Sequence, residues 1–304
     1  MSQIPPFFRL PDFLRTTWVS DRARDVWKPK LDAIRDAWPE VALGMVAGGL
    51  AKRALRALPP RLIFRLQAEA KRRGVAVAPL GVRGVAIPCY ALESRLPILG
   101  KPFLYDAAFG TEEAVREMEM LWERCDYRAV YRLAGFPECC VAAFQQDIET
   151  RRIDSLGRLA SSTSCLEVES GALVDPFWRW LNIERITCPP CSLHCAKAKE
   201  ESLLWMDAAA YCGYRAEIDS LREVLSWPVE WSALHGIAEL KTPILKAAGT
   251  TDTTNAKVLL RYRGEGYPHE GATGLGFPYR PSDKAALTSS SGFRRGLDNL
   301  IQIG

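Results

Sequence analysis

The sequence predicts an α+β fold that is mostly helical and carries a small, antiparallel sheet. Two observations indicate this class. Apolar residues recur at helical spacing over residues 21–74 and again over residues 111–225. Between and after these stretches, over residues 75–92 and 229–263, apolar residues come in shorter runs bounded by glycine or proline. Such runs are typical of strands.

The N-terminal part is predicted to be helical. Asp21 caps a first helix that reaches residue 37, and Pro39 interrupts it. Residues 40–58, rich in alanine and leucine, continue the helical pattern until Pro59 and Pro60 break it. A further helix covers residues 62–73 and stops at Gly74.

The middle and C-terminal parts mix strands and helices. Two short strands are predicted over residues 75–79 and 84–92, and Thr111 then caps a helix that runs to about residue 125. Further helices are predicted over 127–134, from Pro137 onward, over 192–212 and over 216–225. A hairpin over 229–248 that turns at His235-Gly236 and a strand over 257–263 complete the predicted elements.

We expect three regions along the chain: a basic helical region (1–75), a cysteine-containing α+β core (76–248), and a C-terminal strand with an irregular tail (249–304). The first region holds 15 Lys and Arg against 7 Asp and Glu. Acidic residues interrupt the basic ones, and aromatic and basic residues do not alternate. A solvated helical face is therefore favoured over nucleic-acid binding.

Cysteine usage depends on the compartment. No apolar run reaches the roughly 18 residues of a membrane span, and the first residues lack the pattern of a secretory signal. These features predict a cytoplasmic protein. In a reducing cytoplasm, the nine cysteines of this chain favour metal binding or thiol chemistry over disulfides.

Five of the nine cysteines lie in two short motifs. Gly135-Phe-Pro-Glu-Cys-Cys140 opens a predicted helix, and Cys188-Pro-Pro-Cys-Ser-Leu-His-Cys195 leads into another. The first-turn N–H groups of a helix favour an anion, so a thiol placed there is more readily ionised. Only the thiolate binds metal or attacks an electrophile. The motifs therefore predict a metal or cluster site.

The expected ligands are Cys139, Cys188, Cys191 and Cys195, with Cys140 as an alternative to Cys139. Adjacent helical side chains diverge by roughly 100°, which predicts that only one of the pair reaches the metal. Four thiolates suit a 4Fe-4S cluster or tetrahedral zinc. Three cysteines in one loop plus a distant one favour the iron–sulfur cluster. Cys89, Cys125, Cys165 and Cys212 are interpreted as packing residues.

The same motifs carry a resemblance. Gly-Phe-Pro-Glu-Cys-Cys followed by Pro-Cys-Ser-Leu-His-Cys is similar to a family of uncharacterised prokaryotic proteins with a Gly-aromatic-Pro-Glu-Cys-Cys motif and a downstream Pro-Cys-x-x-x-Cys. The similarity covers residues 120–210. It points to Cys139, Cys140, Cys191 and Cys195 as site residues, leaves Cys188 as an accessory, and names no reaction.

Other side chains are weaker candidates. Glu138 either complements the helix dipole or acts as a general acid or base. His194 is an alternative ligand or hydrogen-bond donor to one. Arg261 and Arg263 could clamp a carboxylate or phosphate, although a solvated strand face is the commoner explanation for two such arginines. His269 could approach a substrate, while His235 is read as a solvated turn residue. Phosphate-loop, dinucleotide-binding, serine-hydrolase and zinc-protease motifs are absent from the sequence.

Three functions follow, in order of preference. The first is an iron–sulfur enzyme of lyase, dehydratase or sulfur-transfer type, with Cys140 free to carry a persulfide. Its partners would be a small-molecule substrate or a protein that donates sulfur or electrons. The second is a zinc-stabilised structural or partner-binding protein. The third is a thiol redox protein, although adjacent cysteines make a strained disulfide.

Overall fold

The computed structural model describes residues 10–85, 90–92, 96–150, 152–161, 167–168, 176–183, 189–252 and 256–270. It confirms the α+β class. The helices are α1 (Asp21–Ala47), α2 (Pro60–Arg72), α3 (Glu112–Glu123), α4 (Tyr127–Leu133), α5 (Glu138–Glu149), α6 (Ser155–Ser161), α7 (Ala196–Tyr211) and α8 (Arg215–Leu225), with a 3-10 helix at Phe177–Leu181. The strands are β1 (Leu14–Trp18), β2 (Arg53–Leu58), β3 (Ala76–Gly84), β4 (Phe103–Gly110), β5 (Glu167–Val168), β6 (Val229–Leu234), β7 (Ile237–Lys241), β8 (Leu245–Thr250) and β9 (Val258–Tyr262).

Two sheets are present where one was expected. The larger has the strand order β1-β8-β7-β6-β9-β5 and is antiparallel except for the short parallel pair β5–β9. The smaller has the order β2-β4-β3 and is antiparallel. In the larger sheet, β6 and β7 form the predicted hairpin, which turns through His235 and Gly236 at φ 50° and 79°. Both positive values suit the two-residue turn of a hairpin.

The larger sheet, the first helix and the last two helices enclose a core that we call the large core. Alternate residues of the strands point into it, as Trp231 does from β6 and Leu240 from β7. Among the described residues, the large core contains seven buried tryptophans: Trp38 and Trp205, which are 7% and 4% exposed, and five that are at most 1% exposed, Trp27, Trp178, Trp180, Trp227 and Trp231.

The three-stranded sheet separates the large core from a second one. From β4, Phe109 points into the large core and Ala108 into the other. This second, small core lies between the sheet and α3, α4, α5 and the start of α7. Its buried members are Leu55, Ala108, Val115, Met118, Val130, Ala134, Phe136, Cys140, Val141, Cys195 and Ala198.

The first helix is longer than predicted. Pro39 does not interrupt it, and α1 continues through Pro29 and Pro39 to Ala47. Burial of one face along the whole length, from Ala23 to Met45, outweighs the lost backbone hydrogen bonds. The cap is Ser20, whose hydroxyl accepts from the Ala23 N–H at 3.0 Å, so Asp21 is the first helical residue.

Segment 40–58 is the clearest error of the sequence interpretation. Its second half is not helical but forms β2, which pairs with β4 along its whole length. The strands β1 and β4 were also missed. Both faces of β2 and β4 are covered, so these strands lack the alternation of polar and apolar residues that marks a half-exposed strand. The helices α2, α3, α4, α7 and α8 confirm the predictions to within a few residues.

Strand pairing crosses the expected region boundaries. The strand β2, before residue 75, pairs with β4, and β1 pairs with β8 near residue 249. No helix in the described part of the chain has the length and apolar character needed to cross a membrane.

Candidate metal centre

The first pair of thiols lies at the start of α5. Gly135, at φ 89°, ends the preceding turn, and Pro137 is the N-cap of α5 where the sequence suggested the first helical position. Cys139 and Cys140 therefore fall in the first turn. Cys139 is exposed and Cys140 is buried in the small core. The predicted placement of both thiols at a helix start is confirmed.

The second pair lies in the loop before α7. Cys195 is the N-cap of α7, which places its sulfur beside the free N–H groups of that helix start. Cys191 lies four residues earlier and is half-buried. Cys195 and Ala198 both join the small core. The loop thus places the sulfurs of Cys191 and Cys195 next to those at the start of α5.

The four sulfurs form one compact group. All lie within 4.8 Å of one another. The Sγ–Sγ separations are 4.0 Å for Cys139–Cys140, 3.8 Å for Cys139–Cys195 and 3.7 Å for Cys140–Cys195. Among the described residues, these four cysteines are the group whose chemistry and spacing could hold a metal ion.

The sequence predicted one ligand from the adjacent cysteines, with the other as a free thiol facing the site or a packing residue. The structure brings the sulfurs of both Cys139 and Cys140 into the group, and which of them binds stays a prediction. The rotation of about 100° between successive helical residues does not prevent their sulfurs from lying 4.0 Å apart. That separation is compatible with two ligands of one ion.

Burial and mutual hydrogen bonding set the thiol pKa values apart. Burial raises the pKa of Cys140 far above its ordinary range. Burial, followed by hydrogen bonds with the thiols of Cys195 and Cys139, raises the pKa of Cys191 to about 11. A metal ion bound here must displace these protons.

Cys195 behaves differently from its neighbours. Burial acts to raise its pKa, but the Ala198 N–H and the three neighbouring thiols donate hydrogen bonds to its sulfur and lower the pKa below the ordinary value. The negative charge of the first thiolate is therefore held at Cys195, between the helix start and the other sulfurs.

Glu138 faces away from the sulfurs toward α4. Its carboxylate pairs with Arg128 at 2.5 Å and with Arg132. Hydrogen bonds from Arg132 and Arg128 lower the pKa of Glu138 to about 2. The carboxylate is thus ionised at neutral pH and bound by two cations, an arrangement that favours the helix-start interpretation over proton transfer. Its catalytic role, like that of Cys140, stays a prediction.

A buried ion pair adjoins the site. Asp147, fully buried on α5, accepts hydrogen bonds from Arg158 Nε at 2.9 Å to each carboxylate oxygen. The same guanidinium donates from Nη1 to the Cys191 carbonyl at 2.7 Å and from Nη2 to the Pro190 carbonyl at 3.1 Å. One arginine on α6 therefore joins the helix of the first cysteine pair to the loop of the second.

Sequence reasoning missed both residues of this pair. Asp147 lies seven residues after Cys140, which is two helical turns, so a signal existed: a carboxylate on the same buried face as a candidate ligand. No spacing in the sequence points to Arg158, because it reaches the loop only through the packing of α6.

The other predicted residues lie elsewhere. Arg261 donates to Glu230 at 2.9 Å within the larger sheet, and Arg263 and His269 are exposed near the end of the described chain. His194 is exposed and is not part of the sulfur group. Their roles in substrate binding or ligation remain predictions.

Not every predicted cysteine can be located. Cys188, expected as a ligand, lies outside the described residues, as do Cys89 and Cys165. Cys125 and Cys212 are free thiols outside the sulfur group. Cys125 is exposed, so it is not the buried packing residue that was expected.

Comparisons of the chain with known protein families, with curated proteins and with solved structures each find no match. The chemistry of the four cysteines and their surroundings is therefore the guide to function.

Proposed function

We propose that this chain binds one zinc ion through Cys139, Cys140, Cys191 and Cys195, and that the ion stabilises the small core. The observation that carries this proposal is the sulfur spacing. Four sulfurs at about 2.3 Å from one tetrahedral ion lie about 3.8 Å apart, and the three sulfur separations given above are 3.7–4.0 Å.

The composition of the site supports zinc in particular. All four candidate ligands are thiols, and a closed set of four thiolates is typical of structural zinc. Two of the four, Cys140 and Cys195, are buried members of the small core. An ion at this position joins the start of α5 to the start of α7. Its binding free energy then contributes directly to folding.

An iron–sulfur cluster, the first preference from the sequence, is the second candidate. It is favoured by a third cysteine in the second motif, Cys188, because the two motifs then contain five thiols in the sequence. The four sulfurs around a 4Fe-4S cube each bind a different iron and lie roughly 6 Å apart. The described sulfurs would have to separate by about 2 Å to hold such a cube, whereas a single ion fits the spacing they already have.

The test is to purify the chain without oxygen and to measure zinc, iron and sulfide together with the visible spectrum. We expect a colourless protein with about one zinc per chain. We also expect that Cys191→Ser removes the zinc and that Cys125→Ser, an exposed thiol outside the group, does not. Broad absorbance near 400 nm with matched iron and sulfide would replace the zinc proposal with the cluster.

A further inference from the structure

The guanidinium of Arg158 contacts both halves of the sulfur site without being a ligand itself. On one side it forms the two 2.9 Å hydrogen bonds to Asp147 of α5, the helix that carries Cys139 and Cys140. On the other it donates to the carbonyls of Pro190 and Cys191. Three N–H groups of one side chain, with the Nε–H shared between the two Asp147 oxygens, thus join the helix to the loop.

The surroundings hold this arginine in place. Its side chain is 14% exposed and that of Asp147 is fully buried, so neither group can exchange its partner for water at low cost. The planar guanidinium presents its donors in a fixed fork. That fork determines the direction of the Cys191 carbonyl, and with it the orientation of the residue that carries the sulfur.

We propose that Arg158, held by Asp147, is a positioning residue that assembles the four sulfurs before the metal binds. This inference rests on the proposed zinc site and adds to it a residue that controls affinity. Partners that orient ligands typically change metal affinity by 10–100-fold when they are removed. Without the guanidinium fork, zinc binding itself must order the loop at Cys191, and the cost of that ordering reduces the zinc affinity.

Arg152 offers a matched control. It also approaches Asp147, at 3.6 Å, and Asp252, at 3.8 Å, but no described hydrogen bond joins it to the loop carbonyls. Its side chain is 35% exposed, so its ion pair contributes little. Replacing Arg152 removes a positive charge beside Asp147 and leaves the Pro190–Cys191 carbonyl contacts intact.

The experiment measures zinc affinity by competition with a chromophoric chelator, on the full chain and on three variants. We expect Arg158→Gln to weaken zinc binding by about 10–100-fold and Arg152→Gln by less than about threefold. Arg158→Lys keeps the charge opposite Asp147 but lacks the fork, so its affinity should fall between these values. At saturating Co²⁺, all chains should give the same spectrum, because all four thiolate ligands remain.

Equal zinc affinities for the two glutamine variants would overturn the proposal, since Arg158 would then act only as a buried ion pair. If Arg158→Gln fails to fold without metal, the zinc affinity of Arg158→Lys tests the proposal instead. An affinity at least about threefold weaker than that of the wild-type chain supports the proposal, and an affinity equal to the wild-type value overturns it. A wild-type chain that binds neither Zn²⁺ nor Co²⁺ is a different result, because it overturns the proposed zinc site itself.

Discussion

The two cores of this protein differ in the side chains that fill them. The large core contains seven buried tryptophans among the described residues, and the rings of two of them, Trp27 and Trp227, pack edge to face with their centroids 4.5 Å apart. The small core is filled mainly by alanine, valine and two cysteines, with Phe136 as its bulkiest buried member. A tryptophan buries about 150–250 Å², so the large core gains far more from apolar burial per residue. We therefore expect the small core to depend more on a cross-link such as the proposed zinc ion.

The first prediction tests the independence of the large core. Trp27 is 1% exposed, and its indole donates to the Glu270 carbonyl at 2.8 Å. Trp27→Ala should lower the free energy of unfolding by about 3–5 kcal/mol. The loss of free energy of unfolding, measured by urea unfolding, should be the same with zinc and with a chelator, because the proposed zinc ligands lie at the small core. Phe64→Ala, at a side chain 75% exposed, should change stability by less than about 0.5 kcal/mol. A loss from Trp27→Ala that zinc reverses would contradict the comparison.

The second prediction tests the dependence of the small core on metal. Free zinc at about 1,000 times its dissociation constant should raise the free energy of unfolding by about 4 kcal/mol. Cys195→Ser should abolish most of this gain, because it removes a ligand at the centre of the sulfur group. Cys212→Ser changes a thiol outside the group and should retain the gain.

Hydrogen exchange then locates the effect. Chelation should increase exchange at the amides of α5 and the first turn of α7, while those of β6 and β7 stay protected. Uniform loss of protection across both regions would show that the two cores unfold as one unit, and that the difference in composition does not separate them.

The sequence predicted the fold class and pointed to the cysteine group, but it did not predict β1, β2 or β4. The two cysteine motifs each combine a helix start with closely spaced thiols, so local chemistry pointed to the four grouped cysteines and also to Cys188, which lies outside the described residues. Local patterns failed for β2, because a strand covered on both faces has no alternation, and its alanine and leucine residues also suit a helix. The network of Asp147 and Arg158 escaped for a related reason: only tertiary packing brings α6 to the cysteine loop.

The third prediction concerns a buried acid at the margin of the large core. Asp154 accepts hydrogen bonds from the Leu156 N–H at 3.0 Å and from Trp180 Nε1 at 2.8 Å. Burial raises its pKa to about 7 from 3.8. The folded state binds the Asp154 proton more tightly than the unfolded chain does. Protonated Asp154 therefore stabilises the folded state fully below pH 4, and this contribution is lost as the pH rises to about 7. The pKa shift from 3.8 to about 7 corresponds to a loss of roughly 4 kcal/mol.

The measurement compares the free energy of unfolding from pH 4 to pH 8 for the wild-type chain and for Asp154→Asn, both with chelator so that thiol–metal binding does not contribute. The neutral amide should remove most of the decline. Asp154→Asn also loses one hydrogen-bond acceptor near Trp180, which lowers its free energy of unfolding by the same amount at every pH. The two chains are therefore compared by the slope of the free energy of unfolding against pH. Parallel slopes would contradict the prediction, because they would mean that folding does not raise the pKa of Asp154.

The last prediction uses α7, the helix that joins the two cores. Its first turn holds Cys195 in the small core, and at its other end Cys212 packs against Gly44 of α1. A Cβ at Gly44 would lie 2.4 Å from the Cys212 sulfur, closer than two such atoms can approach. Gly44→Ala should therefore lower the free energy of unfolding by about 1–3 kcal/mol. In the double variant, Cys212→Ala should restore most of the lost free energy of unfolding, which a double-mutant cycle measures.

Zinc affinity should not change in either single variant or in the double variant, because the crowded contact lies four helical turns from the sulfur site. A weakened zinc affinity in Gly44→Ala that Cys212→Ala restores would show instead that α7 transmits strain from one core to the other.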